Sequence, residues 1–328
     1  MKAYTSAELD VFLKSLASDY DVRVPVEADD GTRVLGRPDD GPPALAGGAL
    51  AAKPTAVFFP HFDEVLTHDR DRLDVQKPVE KPILVVGFTA QDADCLEFID
   101  RFYSENFRDD IYFNKRDGSV VAVVSGRCGK DGAFLKIAGG KCDLEFICEG
   151  ERFLVATYSK AGKGLAAKLN GGEAVAQGVL ETLRKESDAL PTDDDELLRC
   201  ASKLLLADKV PDEFWDAISD RCIACTGCNL VCPTCTCFEV FDRTGGTTVR
   251  RYREWDSCQL EGFMREASGH NPMGKQFQRT RRRIHHKLAA DVTRWDTLSC
   301  FLCGRCDDVC PTGIGIKAVC REMVEKYG

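Results

Sequence analysis

Long hydrophobic segments are absent from this sequence of 328 residues. It has no uninterrupted apolar run of about eighteen residues, so we predict no membrane-spanning helix. The opening residues, MKAYTSAELD, contain no apolar stretch either, and we expect no secretory signal and a cytoplasmic location. Excess positive charge is also missing, because the formal net charge is −9 at pH 7, which argues against a nucleic-acid-binding protein.

Cysteine is abundant instead, and its distribution divides the chain. Of the 17 cysteines, twelve follow residue 221, and the other five are Cys95, Cys128, Cys142, Cys148 and Cys200. In a long chain without a secretory signal, clustered cysteines are more typical of metal ligands than of disulfides. We therefore predict an N-terminal domain, 1–190, and a cysteine-rich domain, 191–328. The cysteines from 95 to 148 are interpreted as buried small side chains.

The N-terminal domain has the pattern of a mixed α/β fold. Its apolar runs PILVVGF (82–88) and SVVAVVSG (119–126) are typical of buried strands, and CLEFIDRFY between them has helical periodicity. Residues 22–36 alternate around an Asp-Asp-Gly turn and predict a hairpin. Thr5 and Glu8 have the spacing of a capping box before a helix.

One glycine motif in this domain invites a nucleotide-binding interpretation. Gly162, Gly164 and Ala167 follow the predicted strand RFLVATY with the spacing of a dinucleotide-binding fingerprint. That fingerprint also needs a second strand carrying an acidic residue about twenty residues later, and no such strand follows. We therefore favour a glycine-rich turn between a strand and a helix.

The cysteine-rich domain contains one motif twice. Residues 222–233 and 300–311 both read C-x₂-C-x₂-C-x₃-C-P. Three thiolates at this spacing wrap a loop around a [4Fe–4S] cluster, and in two-cluster ferredoxins the fourth cysteine binds the other cluster. The motifs therefore predict two [4Fe–4S] clusters with crossed ligands. We name these ligands the first cysteine group, Cys222, Cys225, Cys228 and Cys310, and the second cysteine group, Cys300, Cys303, Cys306 and Cys232.

Structural zinc is the alternative for these eight cysteines. Zinc sites usually pair two separated C-x₂₋₄-C knuckles and need only four thiolates. Two complete copies of a three-cysteine run followed by Cys-Pro fit iron–sulfur clusters better. Because eight cysteines satisfy two clusters, we interpret His285 and His286 as packing or hydrogen-bonding residues and not as ligands.

The segment between the two motifs predicts a β-hairpin followed by helices. Residues 238–255 alternate on both sides of a Gly-Gly turn, and residues 258–288 have a mostly helical pattern. The predicted fold class is thus α+β. It has an N-terminal mixed α/β domain and then a mostly helical, two-cluster ferredoxin-like domain with an inserted β-hairpin.

Three further cysteines lie beside the motifs. We name Cys235, Cys237 and Cys258 the third cysteine group. They could form a third metal site, a dithiol that exchanges with a substrate disulfide, or a shell of thiols packed around the clusters. A third metal site would need a fourth ligand, from Cys320, His270 or His285. Cys200 is interpreted as a structural residue, and so is Cys320 unless it supplies that fourth ligand.

Positive charge concentrates in one stretch of this acidic chain. Residues 249–287 hold ten Lys and Arg against four Asp and Glu, a local balance of +6. Aromatic platforms for bases are sparse there, so we do not predict nucleic-acid binding. Cations near an anionic cluster would raise its reduction potential, and others could dock an acidic partner. We expect these two roles.

Several segments carry a specific resemblance to a known family. CPTCTCFEVFD, WDSCQLEGF, SGHNP, RTRRRIHHK and CGRCDDVCP occur in this order within 213–325. They resemble the iron–sulfur electron-transfer subunits of anaerobic sulfite reductases and the beta subunits of sulfhydrogenases, which form one family. The N-terminal domain is similar to them more weakly, through KPTAVFFPHFDEVL and GFTAQDADCLEFIDRF.

The resemblance implies a protein whose [4Fe–4S] clusters pass electrons between partners. One partner would be a flavin- and NAD(P)-binding subunit. The other would be a terminal reductase, hydrogenase or heterodisulfide-reductase-like subunit. The chain departs from the family in its N-terminal domain, because Gln91-Asp92 stands where the family has Cys-Asp, and residues 129–137 lack the family's Cys-x-Cys. No thiol-based site is therefore expected in that domain.

The sequence contains no Ser-His-Asp or paired-acid constellation, so no catalytic residue is predicted. We accordingly expect a non-catalytic electron-transfer subunit of an oxidoreductase complex. The alternative is an enzyme that reduces a sulfur compound or disulfide at Cys235 and Cys237. A flavoprotein that uses the N-terminal domain is a third hypothesis.

Overall fold

The computed structural model describes residues 2–328. The strands are β1 (Lys2–Thr5), β2 (Asp21–Glu27), β3 (Arg33–Gly36), β4 (Phe62–Asp69), β5 (Arg72–Val75), β6 (Ile83–Phe88), β7 (Val120–Gly126), β8 (Leu144–Glu149), β9 (Arg152–Thr157), β10 (Glu173–Ala174), β11 (Phe238–Gly245) and β12 (Thr248–Trp255). The α-helices are α1 (Ser6–Ser15), α2 (Ala90–Phe102), α3 (Asp110–Arg116), α4 (Lys160–Ala166), α5 (Val179–Asp188), α6 (Asp193–Leu206), α7 (Asp212–Ser219), α8 (Gly227–Leu230), α9 (Gln276–His285), α10 (Asp291–Trp295), α11 (Arg305–Asp308) and α12 (Ile316–Tyr327).

The chain forms two compact units that are not continuous in sequence. The N-terminal unit comprises the residues up to Phe59 together with Gln76–Leu190. The C-terminal unit comprises Pro60–Val75 and Pro191–Gly328. The hairpin of β4 and β5 therefore belongs with the cysteine-rich part of the chain, although more than a hundred residues of the other unit separate them in sequence.

The N-terminal unit is built on one mixed sheet. Its strand order is β10-β1-β9-β8-β7-β6-β2-β3, and the central pairs β2–β6, β6–β7 and β7–β8 are parallel. Strands β6 and β7 are buried along their whole length, as their continuous apolar runs predicted. The predicted hairpin of residues 22–36 is confirmed as the antiparallel pair β2–β3.

Two helices of this unit begin at capping boxes. Thr5 accepts from the backbone N–H of Glu8, whose carboxylate accepts from the backbone N–H of Thr5, as the sequence predicted. Thr89 and the buried Asp92 form the same reciprocal pair at the start of α2. Asp92 belongs to the Gln-Asp pair that departs from the similar family, and here its side chain stabilises a helix N-terminus.

The glycine motif of this unit lies within a helix. Helix α4 begins at Lys160, so Gly162 and Gly164 are helical and do not form the preceding turn. Ser159 caps the helix by accepting from the Gly162 N–H at 3.0 Å. A Cβ on Gly162 would lie 2.0 Å from the backbone oxygen of Asp143, so glycine permits close packing of the helix here. The predicted connection from a strand to a helix is confirmed. Its glycines, however, lie inside the helix, where Gly162 allows close packing against Asp143, and they do not form the turn.

Helices form the core of the C-terminal unit. The buried apolar side chains come from α6, α7, α9 and α12 and include Leu198, Trp215, Ile284 and Met323. The segment ELLRCASKLLL forms most of α6. Several motif cysteines, Cys222, Cys300, Cys306 and Cys310, pack against this core.

A four-stranded antiparallel sheet completes the unit, with strand order β11-β12-β4-β5. The predicted hairpin across the Gly-Gly turn is confirmed as β11–β12, and β12 also pairs with β4 along its length. Arg253 on β12 lies opposite Asp63 on β4, and their side chains form a buried ion pair at 3.6 Å.

The prediction of mostly helical structure over 258–288 was wrong for its first half. Residues up to 275 contain one 3₁₀ turn, Glu261–Met264, and otherwise irregular backbone, and the helix begins only at Gln276. The reason is local, because the segment SGHNPMG holds two glycines, an asparagine and a proline, all of which disfavour a continuous helix. Within residues 2–328 the helices are all too short or too polar to cross a bilayer.

Candidate metal centre

The two cysteine loops share one unusual backbone conformation. In each loop, the third and fifth residues, counted from the first cysteine, have a positive φ angle. They are Ala224 (53°) and Thr226 (63°) in the loop from Cys222, and Leu302 (57°) and Gly304 (79°) in the loop from Cys300. Left-handed backbone is unfavourable for Ala, Leu and the β-branched Thr, since their Cβ atoms crowd the following carbonyl. Strain that is repeated at matching positions of two loops is typical of functional sites.

The structure brings the first cysteine group together. Cys222, Cys225, Cys228 and Cys310 line one cavity, so three thiols from the N-terminal motif meet one from the C-terminal motif. Arg283, Thr280 and Gln259 also line this cavity. The sequence predicted this crossing from ferredoxin spacing alone. Cys225 is exposed, and Cys222 also borders an open cleft with Asp216, Asp220 and Lys275.

Members of the second cysteine group are electrostatic neighbours. Cys232 lies within interaction range of Cys300 and Cys306, although it belongs to the other motif. Burial raises the pKa of the Cys300 thiol, and it raises that of Cys306 to about 12. Cys303 occupies the middle of the loop that carries these two. The free thiols of Cys300 and Cys306 would remain protonated at neutral pH, so binding a metal to them must release protons.

Each Cys-Pro cysteine is followed by a threonine that contacts its sulfur. Cys232 Sγ lies 3.4 Å from Thr234 Oγ1, and Cys310 Sγ lies 3.5 Å from Thr312 Oγ1. The backbone N–H of Ile314 also donates to Cys310 Sγ at 3.4 Å. A hydrogen bond to a ligand sulfur, such as the one from Ile314, orients that sulfur and adjusts the potential of an iron–sulfur cluster.

One buried arginine lies among the cysteines. Arg283 on α9 is 7% exposed. Burial acts to lower the pKa of its guanidinium, but the surrounding thiols of Cys228, Cys306 and Cys232 raise it above its ordinary value. These thiols belong to both cysteine groups. A buried cation of this kind needs anionic partners, and cysteine thiolates around iron–sulfur clusters would supply them.

Lys287 is a second buried cation, 9% exposed, in a π-helical turn, His286–Ala290, that continues α9. Its Nζ donates to Thr234 Oγ1 at 2.8 Å, and that oxygen lies 3.4 Å from the sulfur of Cys232. Burial opposes its charge, but Cys232, Cys235 and Cys300 raise its pKa well above the usual lysine range.

Sequence reasoning did not single out Arg279, Arg283 and Lys287 from the basic stretch. They are four residues apart, so they share one face of the helix, and all three are buried. The four-residue spacing was the sequence signal from which their common helix face could have been predicted. Other cations of the stretch form ion pairs with this chain's own acids: Arg251 with Asp242, Arg265 with Glu261, and Arg281 with Asp208 and Asp212.

The third cysteine group is also assembled. The Cys237 thiol hydrogen-bonds to those of Cys235 and Cys258. Cys258 is buried and accepts from Asn229 Nδ2 at 3.2 Å. The hydrogen bond from Cys237 lowers the pKa of Cys258 to about 6 despite its burial. The same contact raises the pKa of Cys237, so Cys258 is the more acidic thiol of this pair.

The proposed fourth ligands of a third site lie elsewhere. His270 is exposed, His285 lines a surface cleft with Arg281 and Arg282, and Cys320 is buried on α12 within range of Cys306. The histidine near Cys258 is His286, whose Nε2 lies 3.3 Å from Asp291. Among residues 2–328, no three His, Cys, Asp or Glu side chains converge closely enough to chelate one ion directly. A four-iron cluster instead separates its thiolates, each of which binds a different iron.

Comparison with known proteins agrees with this geometry. Residues 221–314 match the family model of the 4Fe-4S dicluster domain. The sulfhydrogenase 2 beta subunit of Pyrococcus furiosus is 36% identical over 118 residues, which is 34% of this chain and 34% of that protein. The match thus spans about a third of the relative's length. It confirms the resemblance to iron–sulfur electron-transfer subunits that the sequence predicted.

The C-terminal unit contains a ferredoxin-like dicluster domain. The residues of this dicluster domain fit the cofactor that its family name implies: the strained loops repeat, one cavity is lined by four cysteines, and two buried cations face thiols. The four cysteines from 95 to 148 lie outside it and are buried, as predicted.

Proposed function

We propose that the dicluster domain holds two [4Fe–4S] clusters and relays single electrons between partner subunits of an oxidoreductase complex. The first and second cysteine groups would be the ligands. The chemistry supplied by the bound clusters is reversible one-electron transfer. The chain's own residues would position the sulfurs, balance their negative charge and limit contact with water.

One observation carries this proposal: Cys310 of the C-terminal motif lines a cavity with the three thiols of the N-terminal motif, and Cys232 of the N-terminal motif lies within range of Cys300 and Cys306. A single structural zinc would need only four thiolates and no crossing. Crossed ligands bring two clusters close together, which suits transfer of electrons between them. The shared charge of Arg283 supports the same arrangement, because it lies within range of both sets.

The direct test is elemental analysis of the full chain purified without oxygen. We expect about eight iron and eight acid-labile sulfide per chain and no stoichiometric zinc. The dithionite-reduced sample should give the EPR spectrum of two interacting [4Fe–4S] clusters. Zinc without iron would overturn the relay, and about four iron would leave only one cluster.

We propose partners by analogy with the sulfhydrogenase relative. A flavin- and NAD(P)-binding subunit would supply electrons, and a hydrogenase, reductase or heterodisulfide-reductase-like subunit would receive them. The N-terminal unit would serve as a docking platform, in a cytoplasmic complex. Copurification of the chain with each candidate partner, followed by reduction of the clusters with NADH or NADPH, would test this assignment.

The third cysteine group favours a second candidate function, reduction of a sulfur compound or disulfide. The supporting observation is the contact between Cys237 and Cys258, which makes Cys258 acidic. A third metal centre at the same three cysteines is the other proposal for this group.

Substitution of Cys235 and Cys237 together by serine separates these roles. For a shell of packed thiols, we expect about eight iron to remain and electron transfer to an artificial acceptor to persist. Loss of disulfide-reducing turnover with both EPR signals intact would instead identify an enzyme. A fall from about twelve iron in the wild type to about eight in the variant would indicate a third cluster. Cys200→Ser on α6 is the matched control, because Cys200 lies outside all three groups.

A further inference from the structure

The two cysteine groups differ in the buried cations that face them. Arg283 lies within range of both groups, through Cys228 on one side and through Cys306 and Cys232 on the other. Lys287 lies within range of Cys232 and Cys300, both in the second group. Arg283 therefore serves both groups, and Lys287 adds a further buried cation to the second group.

The fold holds Lys287 in this place. Its backbone carbonyl accepts from the N–H of Ser299 at 3.1 Å, directly before Cys300. Its ammonium donates to Thr234 Oγ1, and Thr234 in turn donates to the carbonyl of Ser299 at 2.7 Å. The π-helical turn that carries Lys287 is a feature often found at functional sites. The lysine thus links the segments that bear Cys232 and Cys300.

A buried positive charge acts directly on the redox state of a neighbouring cluster. Reduction adds one negative charge, so a nearby cation stabilises the reduced form, more strongly where water is excluded. A hydrogen bond to a ligand sulfur has the same direction. Water near the exposed Cys225 and in the open cleft beside Cys222 also favours reduction at the first group. Lys287, however, places a full buried charge 2.8 Å from Thr234 Oγ1, which itself lies 3.4 Å from Cys232 Sγ.

We propose that Lys287 makes the second cysteine group the higher-potential site of the pair, so that electrons are drawn from the first group toward the second. This inference rests on the proposed function and adds a direction to it. The first group, with its exposed Cys225, is then the side of electron entry, and the second group is the side of exit.

Lys287→Met removes the charge and keeps much of the side-chain length. In the full chain, an EPR-monitored redox titration should show that the reduced-to-oxidised ratio of one cluster falls at least about tenfold at a fixed potential. This corresponds to a fall of about 59 mV in the reduction potential of that cluster, for a one-electron couple. The reduction potential of the other cluster should change by clearly less. Lys287→Arg, which keeps the positive charge, should restore most of the difference.

Two ligand variants assign the signals. Cys225→Ser should alter the spectrum of the first group's cluster, and Cys303→Ser that of the second. Lys275→Met is the matched control, because Lys275 is an exposed lysine in the cleft beside Cys222, where water screens its charge. We expect no resolvable shift of either potential in this control.

The inference is overturned if Lys287→Met shifts both potentials equally or neither, or if the wild-type second cluster has the lower potential. Should Lys287→Met fail to retain iron, the wild-type potentials assigned by the two serine variants still decide which group is higher. A wild-type chain that binds no iron would overturn the proposed function itself, a result distinct from iron-loaded protein with the opposite order of potentials.

Discussion

Replacing Cys310 with alanine should remove the iron of the cluster whose other ligands are Cys222, Cys225 and Cys228, and leave the loop of Cys300–Cys306 loaded. We expect iron to fall from about eight to about four per chain. The physical reason is the crossed geometry, in which Cys310 lines a cavity with the three thiols of the other motif. An iron without its thiolate becomes open to water and is lost.

Double variants make this result decisive. Cys310→Ala with Cys225→Ala should still bind about four iron, because both residues serve one cluster, whereas Cys310→Ala with Cys303→Ala should bind almost none. Iron and acid-labile sulfide analysis of anaerobic protein measures both. The opposite pattern would mean that each motif binds its own cluster, with Cys310 beside Cys303. Cys232→Ala provides the reciprocal control. Combined with Cys303→Ala it should leave about four iron, and combined with Cys225→Ala almost none.

Removing the charge of Arg283 should disturb both clusters together. Arg283→Met leaves anionic sulfur on both sides without its shared buried cation. Breaking a buried charge pair by removing one partner costs about 3–5 kcal/mol. We therefore expect lower iron occupancy of both clusters and a loss of that order in the free energy of unfolding, measured by anaerobic denaturant titration with parallel iron analysis.

The neighbouring arginine provides the control for that experiment. Arg282 lies on the same helix but lines a surface cleft with His285 and Gln278. Arg282→Met should change the free energy of unfolding by less than about 0.5 kcal/mol and leave iron unchanged. Equal effects of the two substitutions would show that loss of positive charge from α9, and not its burial among the thiols, controls cluster binding.

The local parts of the site could be predicted from the sequence. A cysteine loop is specified within seven residues, so its spacing alone indicates the ligands. The strands β6 and β7 and the β11–β12 hairpin were likewise predicted, because periodicity and turn residues encode them locally. The irregular segment before Gln276 was misjudged, since its apolar periodicity was weighed above its glycines and proline.

The surroundings of the cysteines could not be predicted in the same way. Arginine and lysine are almost always exposed, so nothing in their identity indicates that Arg283 and Lys287 are buried. Their burial depends on the thiols that surround them, and those come from distant parts of the chain. The pairing of β4 with β12 was missed for the same reason, because a register between remote strands has no local signature.

The pairing of β4 with β12 also determines where this protein can be divided. A fragment starting at Pro191 would omit Pro60–Val75, leave β12 as an unprotected sheet edge and separate Arg253 from the carboxylate of Asp63. During synthesis, β4 and β5 leave the ribosome long before β12 exists to receive them. The β4–β12 pairing therefore forms late in folding. The dicluster domain can be expressed with its complete sheet only when a segment from the first quarter of the chain is included.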